Sequence, residues 1–497
     1  MPRLQSLAAA VIAALPLAAP AETSITVYSS ASPGSLNAAT FRNGGEGMVV
    51  PGYALVREDR TFTLKPGRNI LRIDDVPAYI DPTTVGFASL TDPSRTHVVE
   101  QSFEFDLTST SKLLSRYLGQ EITVDQPRGQ SVESVTGTLV GTQGALILKQ
   151  ADGSVRIVPS NAGVRLPSLP GGLISKPALV WDVETATGGA HKARFSYQTG
   201  GMTWWTDYNL TYSEPKPGAC SVDVSAWVTL VNQSGASFDA AKLKLIAGDV
   251  QRAQPEPQAK AIYPAAAAPM AERAAGFQEK AFFEYHLYTL GRPTSLAQNS
   301  TKQIELFPTA SQVGCEKALV YYGQAGTYAY GGLNIDRNPG VTSNRKVDVY
   351  LRVKNAAANG LGIPLPAGKL RVSKLDPADR SLEFVGEDLI GHTPREETVQ
   401  VKLGSAFDVV GERRQVDFRV DSTAKWMEED IEVKVRNRKQ DEAVAVDVRE
   451  SLYRWSNWAI TKKTSEFVKD DARNIRFPVR IAPNGEAVVR YTVRYTW

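Results

Sequence analysis

The chain has 497 residues and a formal net charge of +3, with 42% hydrophobic and 22% charged residues. This composition is ordinary for folded proteins, and the length predicts about three or four domains. The small net charge argues against nucleic-acid binding, and no segment beyond the N-terminus reaches about 18 consecutive apolar residues. We therefore expect no nucleic-acid partner and no integral membrane segment.

The N-terminal residues 1–21 are predicted to be a secretory signal peptide. A short basic start containing Arg3 precedes the apolar run 7–17, and Ala19-Pro20-Ala21 provides a small-x-small cleavage site before Glu22. The run is too short to span a bilayer as a helix, which needs about 20 apolar residues. The alternative to a signal peptide is a buried N-terminal helix. We expect a mature protein that begins near Glu22 and is exported, either periplasmic or secreted.

Period-two alternation of apolar and polar residues predicts β-strands along the chain. In the strand 220–230, Cys220 and every second residue after it form an apolar face, and Trp227 lies on the opposite, polar face. Further strands are predicted at 347–353, 431–435, 444–448, 475–481 and 489–497. The pattern predicts an all-β fold of several antiparallel, immunoglobulin-like β-sandwiches and small barrel-like domains, with short helices at 109–118 and 271–280.

Four units are predicted after the signal peptide. They are an N-terminal β-domain (22–118), a small barrel-like β insert (119–172), a large β region (175–425) and a C-terminal immunoglobulin-like β-module (426–497). A Pro/Ala-rich tract near 252–280 cannot bury much apolar surface, so it is interpreted as a mobile loop within the large region.

The two cysteines of the chain, Cys220 and Cys315, are both in the mature region. An even cysteine count in an oxidising compartment permits one disulfide, here closing a loop of about 95 residues. The alternative is a pair of buried free thiols. We favour the disulfide.

No familiar catalytic motif is present. His97, His191, His286 and His392 are outside any zinc-protease motif, and the Ser-x-x-Lys match at Ser109 lacks its partner motifs. Glu104 and Asp106 share a strand face about 7 Å apart, a spacing usable for glycoside hydrolysis, but a solvated polar face is the preferred interpretation. We expect no cofactor, no metal and no catalytic residue.

The aromatic residues of the segment 202–210 suggest a binding site. Alternation places Trp204 and Tyr208 on the core face, and Trp205 and Asp207 on the other face. An exposed Trp205 beside hydrogen-bonding groups suits stacking on a sugar or anchoring a partner, with Asp207 and His286 as further ligand-binding candidates. The alternatives are that a loop or domain covers Trp205, and that His286 packs under the Pro/Ala-rich tract.

The C-terminal segment 489–497 alternates Val489, Tyr491, Val493, Tyr495 and Trp497 on one face. A final strand with a terminal aromatic residue also occurs in outer-membrane barrels. The strands here are shorter than those of such barrels and their turns are irregular. We therefore favour the last strand of a sandwich over an outer-membrane protein.

Several motifs occur together over residues 190–497. They include Gly201-Met-Thr-Trp-Trp-Thr-Asp-Tyr, Leu245-Ile-Ala-Gly-Asp-Val, Leu365-Pro-Ala-Gly-Lys-Leu-Arg-Val and Phe407-Asp-Val-Val-Gly-Glu-Arg-Arg. In this order they resemble the bacterial domain-of-unknown-function 4139 family, whose mucoidy-inhibitor-A-like members carry a coiled coil where this chain has the barrel-like insert. The resemblance implies a bacterial envelope or secreted protein and brings no agreed catalytic residues.

Together these features predict an exported, non-catalytic envelope protein with a binding or scaffold role. Its partner would be an envelope protein or a glycan. The alternatives are a glycan-acting hydrolase with a site assembled from separated loops and an outer-membrane-associated protein. Perturbed carboxylates in a deep cleft would favour the enzyme, and a shallow aromatic surface would favour binding.

Overall fold

The computed structural model describes residues 22–29, 50–105, 109–128, 131–159, 161–168, 177–216, 218–248, 250–251, 276–324, 332–338 and 343–497. The predicted signal peptide, the predicted loop up to residue 275 and Asp106 therefore lie outside the described residues.

Strands account for most of the described residues, as the alternation predicted. The strands up to residue 247 are β1 (Glu22–Tyr28), β2 (Tyr53–Leu64), β3 (Gly67–Ile73), β4 (Ile80–Ser89), β5 (Thr96–Glu104), β6 (Glu121–Arg128), β7 (Ser131–Gly141), β8 (Leu146–Lys149), β9 (Val155–Val158), β10 (Gly163–Arg165), β11 (Ala178–Thr185), β12 (Gly189–Gly200), β13 (Met202–Ser213), β14 (Ser221–Asn232) and β15 (Phe238–Ala247). The later strands are β16 (Phe277–Phe282), β17 (Tyr285–Leu290), β18 (Thr294–Leu296), β19 (Ser300–Tyr322), β20 (Lys346–Lys354), β21 (Gly368–Leu375), β22 (Leu382–Ile390), β23 (Thr398–Asp421), β24 (Trp426–Asn437), β25 (Val444–Ser451), β26 (Trp458–Lys463), β27 (Val468–Lys469), β28 (Asn474–Ile481) and β29 (Glu486–Thr496). The strands predicted at 220–230, 347–353, 431–435, 444–448, 475–481 and 489–497 correspond to β14, β20, β24, β25, β28 and β29.

Of the two predicted helices, the first is confirmed. It is α1 (Thr110–Arg116), and the Ser109 side chain caps it by accepting a hydrogen bond from the Lys112 backbone N–H at 3.3 Å. A short 3-10 helix spans Ala357–Asn359. The second prediction, 271–280, is wrong where the chain is described, because Phe277–Phe282 pairs with β17 along its whole length. Neither helical segment in the described ranges has the length and apolar character needed to cross a bilayer.

The first sheet has the strand order β16-β17-β15-β1-β2-β12-β4, with β18 beside β15. β1 pairs parallel to β15 and antiparallel to β2. The sheet thus draws strands from both the predicted 22–118 unit and the predicted 175–425 region. Strand pairing therefore crosses the boundary between those two predicted units, which local sequence patterns do not reveal.

A three-stranded sheet, β3-β11-β5, packs against one end of the first sheet. Its buried Trp181 makes edge contacts with Phe62, Phe87 and Phe195, with ring centroids 6.5, 5.3 and 5.1 Å away. These aromatic contacts join the two sheets into one layered unit.

The insert is a five-stranded sheet in the order β10-β6-β7-β8-β9, and it emerges between the paired strands β5 and β11. It has a separate apolar core, the insert core, which includes Tyr117, Ile122, Leu139 and Leu148. In a flat sheet β9 and β6 would be three spacings of about 4.8 Å apart. Arg156 on β9 nevertheless contacts Gln126 on β6 at 3.0 Å, so the sheet is curled, while the β9 and β10 backbones do not pair in the described residues.

The largest sheet has thirteen strands, with a main path β22-β21-β13-β14-β19-β20-β23-β24-β29-β26 and with β25, β27 and β28 attached beside it. Its β13, β14 and β21 pack on the first sheet and form the first core, with residues such as Trp204, Val228 and Tyr288. Its other end forms the C-terminal core, which includes Tyr321, Val433 and Tyr495.

Two very long strands connect these cores. β19 has 23 residues and β23 has 24, and each places apolar residues first in the first core and then in the C-terminal core. Tyr321, Val347 and Val409 therefore belong to the C-terminal core although they precede residue 426. The C-terminal core thus includes residues that precede the predicted boundary at residue 426, because the long strands β19 and β23 pass through both cores.

The final strand, β29, packs as the alternation predicted. Val489, Tyr491, Val493 and Tyr495 are all buried within the C-terminal core. The opposite face carries Arg490 and Arg494, which pair with Glu432 and Glu428 of β24. The apolar face of this strand is thus covered by protein.

Candidate functional site

The predicted disulfide is confirmed. Cys220 and Cys315 are joined with Cα atoms 4.9 Å apart, and the Cys315 backbone N–H donates to the Cys220 carbonyl at 3.1 Å. The bond links the segment entering β14 to β19. It therefore cross-links two adjacent strands of the large sheet.

Trp205 is not an exposed aromatic residue, so the interpretation that it stacks on a ligand is wrong. Only 8% of its surface is accessible, because Val50 and Val231 pack against it. Its Nε1 donates to Asp207 Oδ2 at 3.0 Å. A chain segment covers the outer face of β13 at this point, and alternation alone cannot show such a cover.

Asp207 organises the strands around it. Its Oδ2 also accepts a hydrogen bond from Thr229 Oγ1 at 2.6 Å, and its Oδ1 accepts one from Arg371 Nη1 at 3.2 Å. Arg371 in turn contacts Glu387 through its Nε, 3.3 Å from Oε2. With three donors bound, the carboxylate of Asp207 holds Trp205, Thr229 and Arg371 in place.

His286 lies apart from Trp205 and Asp207. It belongs to β17 of the first sheet, which packs on the inner face of the large sheet through the Trp204–Tyr288 contact, whereas Trp205 points to the outer face. Its Nδ1 is 2.8 Å from Glu279 Oε1, and Glu279 Oε2 accepts from Arg395 at 2.8 Å. The structure therefore does not bring the three predicted binding residues together.

The pKa of Glu279 reflects these contacts. Burial by itself raises the pKa of this carboxyl group, but the hydrogen bonds and charges of His286 and Arg395 outweigh burial and hold the pKa below its usual range. Glu279, His286 and Arg395 thus form a structural cluster at the edge of the first sheet.

The exposed aromatic residue of this region is Trp227, on the outer face of β14. Its residue surface is 38% accessible. Asp207 on β13 and Glu305 on β19 lie directly opposite it in the two neighbouring strands. Side chains in such positions have Cβ atoms about 4.5–5.5 Å apart. Polar groups therefore flank the indole on both sides.

We call this area the Trp227 surface and define it by Asn209, Ser225, Trp227, Gln303, Glu305 and Arg371. All lie on the outer face of the adjacent strands β21, β13, β14 and β19. Asn209, Gln303 and Glu305 are exposed, and Gln303 Nε2 donates to Thr229 Oγ1 at 3.1 Å. The surface combines an aromatic plane with both hydrogen-bond donors and acceptors.

A β-bulge lies beside Trp227. The pairing of β14 with β19 shifts between Ala226, opposite Phe307, and Trp227, opposite Glu305. Bulges bend a strand, re-aim side chains and occur often next to binding sites. Alternation in the sequence places Trp227 on the polar face of its strand, and this is the signal that identifies it as a candidate binding residue.

Buried charges of a different kind lie in the C-terminal core. Arg413 Nε is 2.9 Å from Glu450 Oε2, and Tyr491 donates to the same carboxylate at 2.5 Å. Glu429 and Arg454 form a second buried pair at 2.8 Å, and burial raises the pKa of Glu429. These groups are enclosed by protein, so they cross-brace the sandwich and do not face a ligand.

The other residues considered from the sequence, His191, His392 and Glu104, each make contacts of their own. His191 is buried with Nε2 3.0 Å from the Thr187 carbonyl, and His392 Nδ1 accepts from the Ala367 N–H at 3.0 Å. Glu104 pairs with Arg72 at 2.5 Å on the protein surface. Within the described ranges, no three His, Cys, Asp or Glu side chains lie close enough together to hold a metal ion.

No family model, curated protein or solved structure matches this chain. The resemblance to the domain-of-unknown-function 4139 family therefore stays a prediction.

Proposed function

We propose that this chain is an exported, non-catalytic envelope protein with a binding role, and that the Trp227 surface contacts its partner. The observation that carries the proposal is the exposed indole of Trp227 between Asp207 and Glu305 on the outer face of the large sheet. Tryptophan is costly to leave exposed, and it is the residue type most enriched in binding hot spots.

The chemistry of the surrounding groups supports binding over catalysis. Asp207 accepts hydrogen bonds from Trp205, Thr229 and Arg371, so its carboxylate is engaged in holding these side chains in place. The hydrolase and outer-membrane alternatives stay predictions without a specific supporting observation.

Two features support export. The basic and apolar pattern of residues 1–21 has the form of a signal peptide, and the Cys220–Cys315 bond is of the type that persists in oxidising compartments. Membership of a bacterial envelope family, as proposed from the motifs of residues 190–497, agrees with this location.

The test uses the full chain with a C-terminal tag expressed in a Gram-negative host. We expect N-terminal sequencing of the tagged protein to begin at or near Glu22. Washed envelope material should then sediment the wild type and leave Trp227→Ala in the supernatant. Phe407→Ala is the matched control, since Phe407 is a 96% exposed aromatic residue on β23. An unprocessed cytosolic protein, or equal sedimentation of all three forms, would contradict the proposal.

A further inference from the structure

The Trp227 surface has the chemistry of a sugar-binding face, and we propose that its ligand is a neutral pyranose glycan. This inference rests on the proposed function and specifies the partner. It is carried by three properties of the surface: a flat aromatic plane, a mixed set of hydrogen-bonding groups and a negative local charge.

The aromatic plane is the indole of Trp227. A pyranose ring presents axial C–H groups on one face, and these pack on an indole through apolar contact while the ring hydroxyls point outward. Because β13 and β19 lie about 4.8 Å to either side of β14, the groups flanking the indole are within reach of those hydroxyls.

The hydrogen-bonding groups are of mixed type. Asn209 and Gln303 carry an amide with both donors and an acceptor, Glu305 carries an acceptor, and Arg371 carries donors. Sugar hydroxyls both donate and accept, so they match a mixed set. A phosphate or sulfate group accepts only and would require a cluster of donors.

The charges exclude an acidic ligand. Arg371 contacts the carboxylates of both Asp207 and Glu387, and Lys369 lies 3.9 Å from Glu387. This face therefore carries three carboxylates, those of Asp207, Glu387 and Glu305. It carries two cations, Arg371 and Lys369, so its local charge is negative. Such a surface repels uronates, phosphorylated glycans and nucleic acids.

Several groups of the surface are already held in place by contacts within the protein. Asp207 is fixed by three donors and fixes Arg371, Gln303 is fixed by Thr229, and Trp227 is carried by a strand paired on both sides. Little side-chain freedom is lost on binding to such a site.

The experiment is isothermal titration calorimetry on the oxidised mature protein. The probes are cellohexaose, chitohexaose, maltohexaose and mannohexaose as neutral glycans, and oligogalacturonate as the acidic glycan. We expect saturable binding of at least one neutral probe, little dependence on salt and no binding of oligogalacturonate. Trp227→Ala should weaken binding roughly tenfold or more, whereas Trp227→Phe should retain part of the affinity and Phe407→Ala all of it.

The outcomes separate this inference from the proposed function. If no neutral probe binds while Trp227→Ala still abolishes sedimentation with envelope material, the glycan inference is overturned and the binding role stands. Equal affinity of Trp227→Ala and wild type, or tighter salt-dependent binding of oligogalacturonate, also overturns it. If Trp227→Ala does not fold, the affinity of Trp227→Phe, which keeps an aromatic plane, is compared with that of the wild type. An affinity equal to the wild type would then contradict the inference.

Discussion

Removing the disulfide should destabilise the first core specifically. The two cysteines are 95 residues apart in sequence. The loop between them contains β15, β16, β17 and β18, which belong to the first sheet. Cys220 and Cys315 themselves pack against the first core. The cross-link therefore restricts the unfolded chain that connects the two layers of this core. The perturbation is the double variant Cys220→Ser/Cys315→Ser.

The magnitude follows from the loop length. In the chain-entropy model a loop of this size contributes about 4.7 kcal/mol to the free energy of unfolding. β14 and β19 pair through backbone hydrogen bonds, so we expect the native contacts to persist in the double variant and the loss of stability to approach this value. With a guanidinium m-value of about 4 kcal/mol/M, the unfolding midpoint should fall by about 1 M.

The assay is hydrogen–deuterium exchange with mass spectrometry across a guanidinium series. Peptides from β13 and β14 should lose protection at about 1 M less denaturant in the double variant. Peptides from β24 and β29 serve as the internal control, because they belong to the C-terminal core. An unchanged midpoint for β13 and β14 would refute the loop-entropy reasoning, and an equal fall for β24 and β29 would refute the separation of the two cores.

The remaining predictions concern side chains whose surroundings are known. Trp205→Ala should lower the free energy of unfolding by about 3–5 kcal/mol in denaturant titrations, and Trp227→Ala by about 1 kcal/mol; similar losses would contradict the assigned burial. The pKa of Glu279 lies below its usual range, so its contribution to stability is present above about pH 4.5 and is lost as the pH falls through the folded-state pKa. Glu279→Gln should flatten the acid side of a plot of melting temperature against pH, and an unaltered slope would argue against the ion pair. Arg413→Met should cost about 3–5 kcal/mol because it removes the cationic partner of the buried Glu450 carboxyl group, while Arg413→Met/Glu450→Leu should cost less than the single variant in the same titration.

Trp205 and Trp227 differ in a property that the sequence pattern does not predict, namely whether another part of the chain covers the side chain. Alternation assigned both residues correctly to the outer face of their strands. It could not show that Val50, more than 150 positions away in the chain, covers one of them and leaves the other open. His286 was likewise assigned to a strand correctly, but its sheet lies on the other side of the core from Trp205.

Segment 271–280 shows the same limit for secondary structure. Its composition permits a short helix, and in isolation the difference in propensity between helix and strand is small. Pairing with β17 stabilises Phe277–Phe282 as a strand, because all six residues pair with residues of the neighbouring strand. Tertiary context overrides a weak local preference.

The sequence by itself determined the all-β class, the strands at 220–230 and 489–497, the first short helix and the pairing of the only two cysteines. These features depend on neighbours within a few residues or on cysteine count, and side-chain periodicity records them directly. The tertiary structure alone decided that β1 and β2 share a sheet with β15, that β19 and β23 pass through two cores, and that Trp227 is the exposed indole. Each of these depends on contacts between distant segments, whose free energy is set by the apolar surface that the whole chain can bury together.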